Sequence, residues 1–588
     1  MNSRVLLFLS SVCVLVMIAL FSCKDKKPFD DGVVTIRIGS DPSNLNFTNT
    51  NSALASGIAE FIFGQVNSSE LDGNFKLLPY LTNDLGTIFE INEGEWKGGM
   101  RLDYEIRPEA KWDNGAPVTA DDYIFTIKTI LNPKTNCESI KTYYDWVGDI
   151  VKDSTNPLKF SIYANKKYFK IEEFAGSFIL PEYNYDPSKL MRNFTIRDLN
   201  TSEKREALRG DSIINKFAEE YNSEKFQRDP KFITGLGPYK LDKWITGQEV
   251  VLKRKDSWWG DKFLYLRQFA AHPKVIKFKI VTDMNTAITA LKGGAFDAFE
   301  NISSKDYKEL TSNVKFKEIY RLEKKDFFVF TFINLNLRND KFKDLNVRKA
   351  MAYAIDRNKI NDVVYGGELR LTESFVHPLQ YTYNKNLNPF LHDLGLANDL
   401  LDEAGWIDSD GDGIRDKRIG GTKVPLKVVL KIGAGNETRK NVALLLQEQL
   451  KQVGIEIELQ LKEPSVLNDE MEKMDYEMNI SALTIAPRIS DPKQIWHTAN
   501  AGIGGDNRCG WGSEASDKLI DALIVELDPQ KRLEMYMNLQ QMIHDDVPVI
   551  YLFAGKNRLA IKKKFDIQTV MVDPGYYLGD FKQVEIEQ

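Results

Sequence analysis

The chain reads as an α/β protein of two lobes, on the strength of its length and of two β-α-β units lying far apart in it. At 588 residues it exceeds what one hydrophobic core sustains, and about two to four domains are expected. The first unit opens with the alternating run Val275–Val281 (VIKFKIV), a strand. Asp283 caps a helix over Met284–Lys292, Gly293-Gly294 ends it, and Phe296–Phe299 forms a second strand. In the second unit Val424–Ile432 (VPLKVVLKI) is a strand, and Glu437–Val453 is a helix with Val442, Leu445, Leu446, Gln449 and Val453 at helical spacing. Gly454 breaks that helix before the strand Ile455–Leu461. A strand, a helix and a strand in that order give parallel strands with the helix on a sheet face.

Residues 1–22 carry one base, Arg4, and no acid, and Val5–Phe21 is almost wholly apolar. Leu20-Phe21-Ser22-Cys23 then meets the polar run Lys24-Asp25-Lys26-Lys27-Pro28. A charged start, an apolar middle and a small residue at the break mark a secretory signal. Cys23 in that position resembles the lipobox of bacterial lipoproteins, whose thiol is acylated and becomes the new N-terminus. Phe21 is bulkier than the residue usual there. An uncleaved anchor is the alternative, since these 17 residues approach the roughly 20 needed to span a bilayer. In either case the rest of the chain works outside the cytoplasm, held at a membrane.

Hydrophobic residues make up 43 % and charged residues 28 %, with no second long apolar stretch, as in a soluble globular chain. The net charge of −6 comes with no basic stripe, which excludes nucleic acid as a partner. The cysteines are Cys13, Cys23, Cys137 and Cys509. An exported compartment permits a disulfide, but the last two are so far apart in sequence that independent thiols are expected. Loops fall at Lys97-Gly98-Gly99, Asn132-Pro133, Asp408–Gly413 and Ala501–Asn507. The charged interval 186–230 reads as exposed helix and loop, with a domain boundary near its end.

Five segments, taken in order, resemble the large extracytoplasmic solute-binding proteins of peptide and nickel ABC importers, solute-binding family 5. They are Tyr104–Pro133 (YEIRPEAKWDNGAPVTADDYIFTIKTILNP), Gly235–Gly260 (GLGPYKLDKWITGQEVVLKRKDSWWG) and Leu345–Ile360 (LNVRKAMAYAIDRNKI), then Asp528-Pro529-Gln530-Lys531-Arg532 and Val547–Leu552 (VPVIYL). The resemblance covers nearly the whole chain after the signal. It implies a bilobed periplasmic-binding-protein-like fold of the large three-domain type II class, with a hinge between the lobes. Signal peptide 1–22 and anchor linker 23–32 would precede lobe I (33–65, 226–326 and 549–588), an inserted domain (66–225) and lobe II (327–548). Most residues of the motifs build this fold. Gly235, Gly237 and Pro238 set a turn, Met351, Ala354 and Ile355 face a core, Asp356 caps the next helix, and Trp258 and Trp259 pack.

The resemblance also implies a site between the lobes. In peptide-binding members an Asp four residues before the Pro of an Asp/Glu-Pro pair holds the ligand's α-amino group. Here that pair is Asp491-Pro492, and the fourth residue back is Arg488. A guanidinium prefers a carboxylate or phosphate to an ammonium. Either the ligand carries an anionic group, or Asp491 takes the anchoring role after a shift of register, or Arg488 is a structural ion-pair partner. In the loop Gly502–Trp511, Asn507, Arg508 and Trp511 offer the mixture of polar groups and apolar wall expected of a small-ligand site, although Trp511 is equally suited to core packing. Ser52, in the loop before the first helix, is the matching candidate from lobe I. Asp408, Asp410, Asp412 and Asp416 start a calcium-type loop, but its twelfth position is Ile419, where a bidentate carboxylate is needed, so a solvated turn is preferred.

Nothing in the chain singles out a catalytic centre. The five histidines are scattered, and no H-E-x-x-H, G-x-S-x-G or phosphate-loop ending occurs. The expectation is a monomeric lipoprotein without cofactor or enzymatic activity, capturing a peptide or peptide-like small solute for ABC permease subunits and tethered through lipid on Cys23. The alternatives are an exported hydrolase or ligand-gated sensor on the same scaffold, or a receptor for a non-peptide anionic solute.

Overall fold

The computed structural model describes residues 32–50, 52–70, 75–176, 178–503 and 505–584. The signal segment and Cys23 lie outside the described residues. Among these, no helix is long and apolar enough to cross a membrane.

Both β-α-β units form, and both enter one sheet of eleven strands. In the first, strand Val275–Ile280 leads through helix Met284–Lys292 to Ala298–Phe299. Strand Val33–Ile38 lies between these two strands and is parallel to both. Asp283 caps the helix by accepting the Thr286 N–H at 2.7 Å. In the second, Lys427–Gly433 and Glu456–Lys462 are adjacent and parallel, with helix Glu437–Lys451 between them in sequence. The expected strand Val424–Ile432 is in fact two. Thr422–Pro425 pairs with Asp416–Ile419 in a separate hairpin, and only Lys427–Gly433 joins the large sheet. Pro425 has no N–H for a ladder, and the Leu426 N–H turns to the Arg415 carbonyl instead, at 2.7 Å.

Two long antiparallel strands, Tyr320–Leu335 and Val549–Lys562, run through the middle of the sheet. From Tyr320↔Lys562 to Asp326↔Lys556 they pair in regular register, which breaks and resumes at Phe330↔Ala554. On one side of the break the sheet continues through Ala298–Phe299 and Val33–Ile38, on the other through Met478–Thr484 and Lys427–Gly433. A bulge bends a strand and sharpens its twist, so the same two strands serve two differently oriented half-sheets.

A separate antiparallel sheet runs in the order Thr87–Glu90, Met100–Glu105, Lys159–Ala164, Val147–Lys152. Beside it lies helix Ala120–Leu131, opened by a capping box of Thr119 and Asp122. Asp122 accepts from the Thr119 N–H at 3.0 Å and from the Trp112 indole at 3.2 Å. The stretch read as exposed helix and loop, 186–230, is only partly exposed. Helix Ser212–Tyr221 buries Ile214, Phe217, Ala218 and Tyr221 on one face, an amphipathic stripe masked by the surrounding charges.

The G-L-G-P-Y and W-W-G motifs make one packing unit. Gly237 N–H donates to the Ile62 carbonyl and Leu236 N–H to that of Phe63, each at 2.8 Å, closing the end of helix Ala53–Phe63. A Cβ on Gly237 would stand 2.4 Å from the Phe61 carbonyl oxygen. Both Trp258 and Trp259 donate their indole N–H to the Leu236 carbonyl. Asp356 caps the following turn through the Lys359 N–H. Cys137 and Cys509 are both buried free thiols.

Candidate functional site

A cavity of about 350 Å³ lies against the second half-sheet. Side chains alternate along a strand, so Phe330, Phe332 and Asn334 face it from one long strand, and Val549 and Tyr551 from the other. The loop after strand Met478–Thr484 forms a second wall with Asp491 and Trp496. Asp506, Arg508 and Cys509 form a third, and Tyr143 closes the cavity from the region of the four-stranded sheet. Burial pushes the Cys509 thiol up to about 11.

The loop carrying Asp491 is tightly held. The amide of Gln380 donates to the carbonyls of Ala486 and Pro487 at 2.9 Å and of Arg488 at 3.3 Å, and the Ile485 N–H donates to the Phe328 carbonyl beside the register break. Asp491 accepts from the Lys493 N–H at one oxygen and from the Tyr168 phenol at the other, each at 2.8 Å. Burial raises the Tyr168 phenol far above its ordinary range, and the Asp491 charge raises it further. The phenol therefore stays protonated and donates. Tyr143 is also pushed up, first by burial and then by the negative charges of Asp491, Asp506 and Glu173. Asp491 and Asp506 thus set negative charge beside Tyr143, with the Arg508 guanidinium as the cation of the same lining.

The six residues singled out from the sequence part company here. Asp491 and Arg508 line the cavity. The Arg508 carbonyl accepts from Arg338 and Tyr476, whereas its guanidinium has no hydrogen bond or ion pair among the described residues. Arg488 is not among the lining residues, and its guanidinium pairs with Glu173 at 3.3 Å. Asn507 is fully buried within its own loop. It donates to the carbonyls of His497 and Trp511 and accepts from the Gly510 N–H. Trp511 packs edge-to-face on Trp496, with 5.7 Å between ring centres, and donates to Asp546, so it supports the wall from behind. Ser52 caps helix Ala53–Phe63 through the Ala55 N–H.

The aromatic lining was missed in the sequence. Its signal was the alternation in Phe328–Asn334 (FVFTFIN), which shows a strand face but not what that face lines. In the acidic loop, the carboxylates of Asp408, Asp410 and Asp416 converge. Lys423 pairs there with Asp410 at 2.5 Å and Asp416 at 3.1 Å. Asp412 caps the Ile414 N–H instead. Larger surface depressions of about 520 and 610 Å³ lie elsewhere. The charges of the first are already paired with one another, Lys152 with Asp121 and Arg192 with Glu182, and the second follows the packed tryptophans Trp258 and Trp259.

A largely apolar cavity with charged side chains in its lining, set against one of two half-sheets that share two through-running strands, defines a solute-binding protein of the bilobed periplasmic type. Residues 93–505 match the bacterial extracellular solute-binding proteins, family 5 middle region, and the chain belongs to that family. The oligopeptide-binding protein AppA of Bacillus subtilis (strain 168) is 27 % identical over 480 residues, spanning 80 % of this chain and 78 % of its own. The structure of that protein with a nonapeptide superposes with a TM-score of 0.73 at 23 % identity, covering 93 % of this chain and 96 % of the other. An oligopeptide-binding protein from Thermus thermophilus, complexed with a pentapeptide, gives 0.74 at 18 % identity and 94 % of both chains.

Proposed function

We propose that this chain captures a short peptide or peptide-like solute outside the cytoplasm and delivers it to the permease of an ABC importer, without chemical turnover. The observation that carries this reading is the Asp491 carboxylate, oriented by Tyr168 and by a backbone N–H in the lining of a largely apolar cavity. Asp491 receives the ligand's ammonium and Arg508 its carboxylate. The cavity volume is at the lower end of the roughly 300–1,000 Å³ of small-ligand sites, which suits a di- or tripeptide. The family membership and the peptide-binding relatives support the same reading. Arg488 does not contact the ligand and pairs with Glu173.

The ligand bridges contacts on both sides of the hinge, and this difference in affinity draws the lobes together. The apolar segment before Cys23 supports export and lipid attachment at that thiol, which would hold a monomeric receptor near its permease. Titration calorimetry of ligand-stripped protein with tripeptides is the test. Binding is expected to fall at least tenfold when the peptide N-terminus is acetylated, with the peptide recovered intact on unfolding. Equal binding of the acetylated peptide overturns the assignment of Asp491, and recovery of cleaved peptide overturns the receptor. Radiolabelled palmitate incorporated by the wild type but not by Cys23→Ser checks the anchor.

A further inference from the structure

We propose that the cavity contains a subsite for a neutral, oxygen-bearing apolar group, such as a phenol, recognised by Tyr551 and Trp496. This rests on the reading that the cavity takes the transported solute.

Both residues line the cavity and are almost fully buried, at 6 % and 4 % exposure. The Tyr551 hydroxyl and the Trp496 indole N–H are buried and have no hydrogen-bond partner among the described residues. Six other indoles have one, those of Trp258 and Trp259 at the Leu236 carbonyl among them. Trp112 donates to Asp122, Trp146 to the Tyr143 carbonyl, Trp244 to Asp41, and Trp511, packed against Trp496, to Asp546. A buried donor left unsatisfied is costly, and two on different walls of one cavity, Tyr551 on the strand face and Trp496 on the loop wall, point to a group that arrives from outside.

The chemistry of that group follows from the two donors and their surroundings. An indole N–H can only donate, while a phenol both donates and accepts. The partner must therefore present an acceptor, which excludes an ammonium or guanidinium at this position. Around the two donors the wall is aromatic. Phe330 and Phe332 stand 5.7 and 6.3 Å from Tyr551, and Phe375 stands 5.5 Å from Trp496, between ring centres. A bare carboxylate would lose its hydration among these rings, and the cation lining the cavity, Arg508, is already taken by the ligand's terminal carboxylate, whereas a ring or aliphatic body would pack. Burial holds the Tyr551 phenol well above its ordinary ionisation range, so it remains a neutral donor.

The test uses two probe sets on refolded, ligand-free protein: the tripeptides Ala-Tyr-Ala, Ala-Phe-Ala and Ala-Lys-Ala by calorimetry, and p-cresol with toluene by NMR titration. The tyrosyl peptide is expected to bind about tenfold more tightly than the phenylalanyl one, and the lysyl peptide most weakly. In Tyr551→Phe, and separately in Trp496→Phe, the tyrosyl-to-phenylalanyl and cresol-to-toluene ratios should fall several-fold. Asp491→Asn should weaken all three peptides alike and leave the cresol ratio unchanged. Ratios unaltered in both variants, or a preference for lysine, overturn the subsite. Binding of p-cresol with the stated dependence but of no peptide overturns the peptide reading and keeps the subsite. Binding of neither probe set overturns both.

Discussion

The Tyr168 phenol donates to Oδ2 of Asp491 at 2.8 Å, joining residues 323 positions apart in the chain. Close by, Phe169 N–H donates to the Ile524 carbonyl at 3.0 Å, the Arg532 guanidinium lies over the Phe169 ring at 5.0 Å, and Glu173 pairs with Arg488. One short segment, residues 168–173, thus meets the binding loop and the helices behind it. Through Tyr168, the orientation of Asp491 depends on that segment being in place.

Tyr168→Phe removes one hydrogen bond to a charged acceptor and leaves the ring packing intact. A bond of this kind is worth about 1.5–3 kcal/mol, so peptide affinity should fall at least tenfold by calorimetry, with little change in melting temperature. Unchanged affinity would show that Asp491 keeps its orientation, or its role, without Tyr168.

Arg488→Ala should weaken ligand binding less than about fivefold, because a partly exposed ion pair contributes roughly 0.2–1 kcal/mol. The loss should shrink in high salt and vanish in a Glu173→Ala background. A tenfold or larger loss that persists without Glu173 would mean that the guanidinium touches the ligand after all.

Gly237→Ala places a methyl group 2.4 Å from the Phe61 carbonyl oxygen, and backbone on backbone has little room to yield. A destabilisation of about 1–3 kcal/mol is expected, read as a lower urea midpoint, with ligand affinity retained by the folded fraction. A neutral result would remove the packing explanation for the motif.

His377 sits against Phe328 beside the register break, with ring centres 5.0 Å apart. Burial pushes its imidazole down to about 4, against the pull of Asp326, while the unfolded chain titrates near 6.5. Between those values the unfolded state binds the proton and the native state does not. The stability present at neutral pH is therefore lost as pH falls from about 6.5 towards 4, by an amount on the order of 3 kcal/mol. Urea melts at pH 7 and pH 4.5 should show this loss in the wild type and a smaller one in His377→Gln. Equal losses would mean that other groups dominate.

The two β-α-β units were legible because their apolar spacing, caps and terminal glycines are local properties. Helix Met284–Lys292 forms over the residues its sequence indicates. The break at Pro425 was legible in principle, since proline cannot donate to a ladder, but the apolar run on either side concealed it. The site was less legible. Asn507 and Arg508 are neighbours of similar polarity, yet one is consumed by its own loop and the other faces the cavity. Nothing in their order distinguishes them.

By itself, the sequence determined the α/β class and, through five motifs in order, the family. Each of these depends on residues close together in the chain or on the pattern they repeat. Only the tertiary structure decided that Asp491 lines the cavity, that Arg488 turns to Glu173, and that Tyr551 and Trp496 keep donors without a partner among the described residues. The physical reason is that hydrogen bonding and burial are settled between groups hundreds of positions apart, where a carboxylate's role depends on which phenol or guanidinium reaches it first.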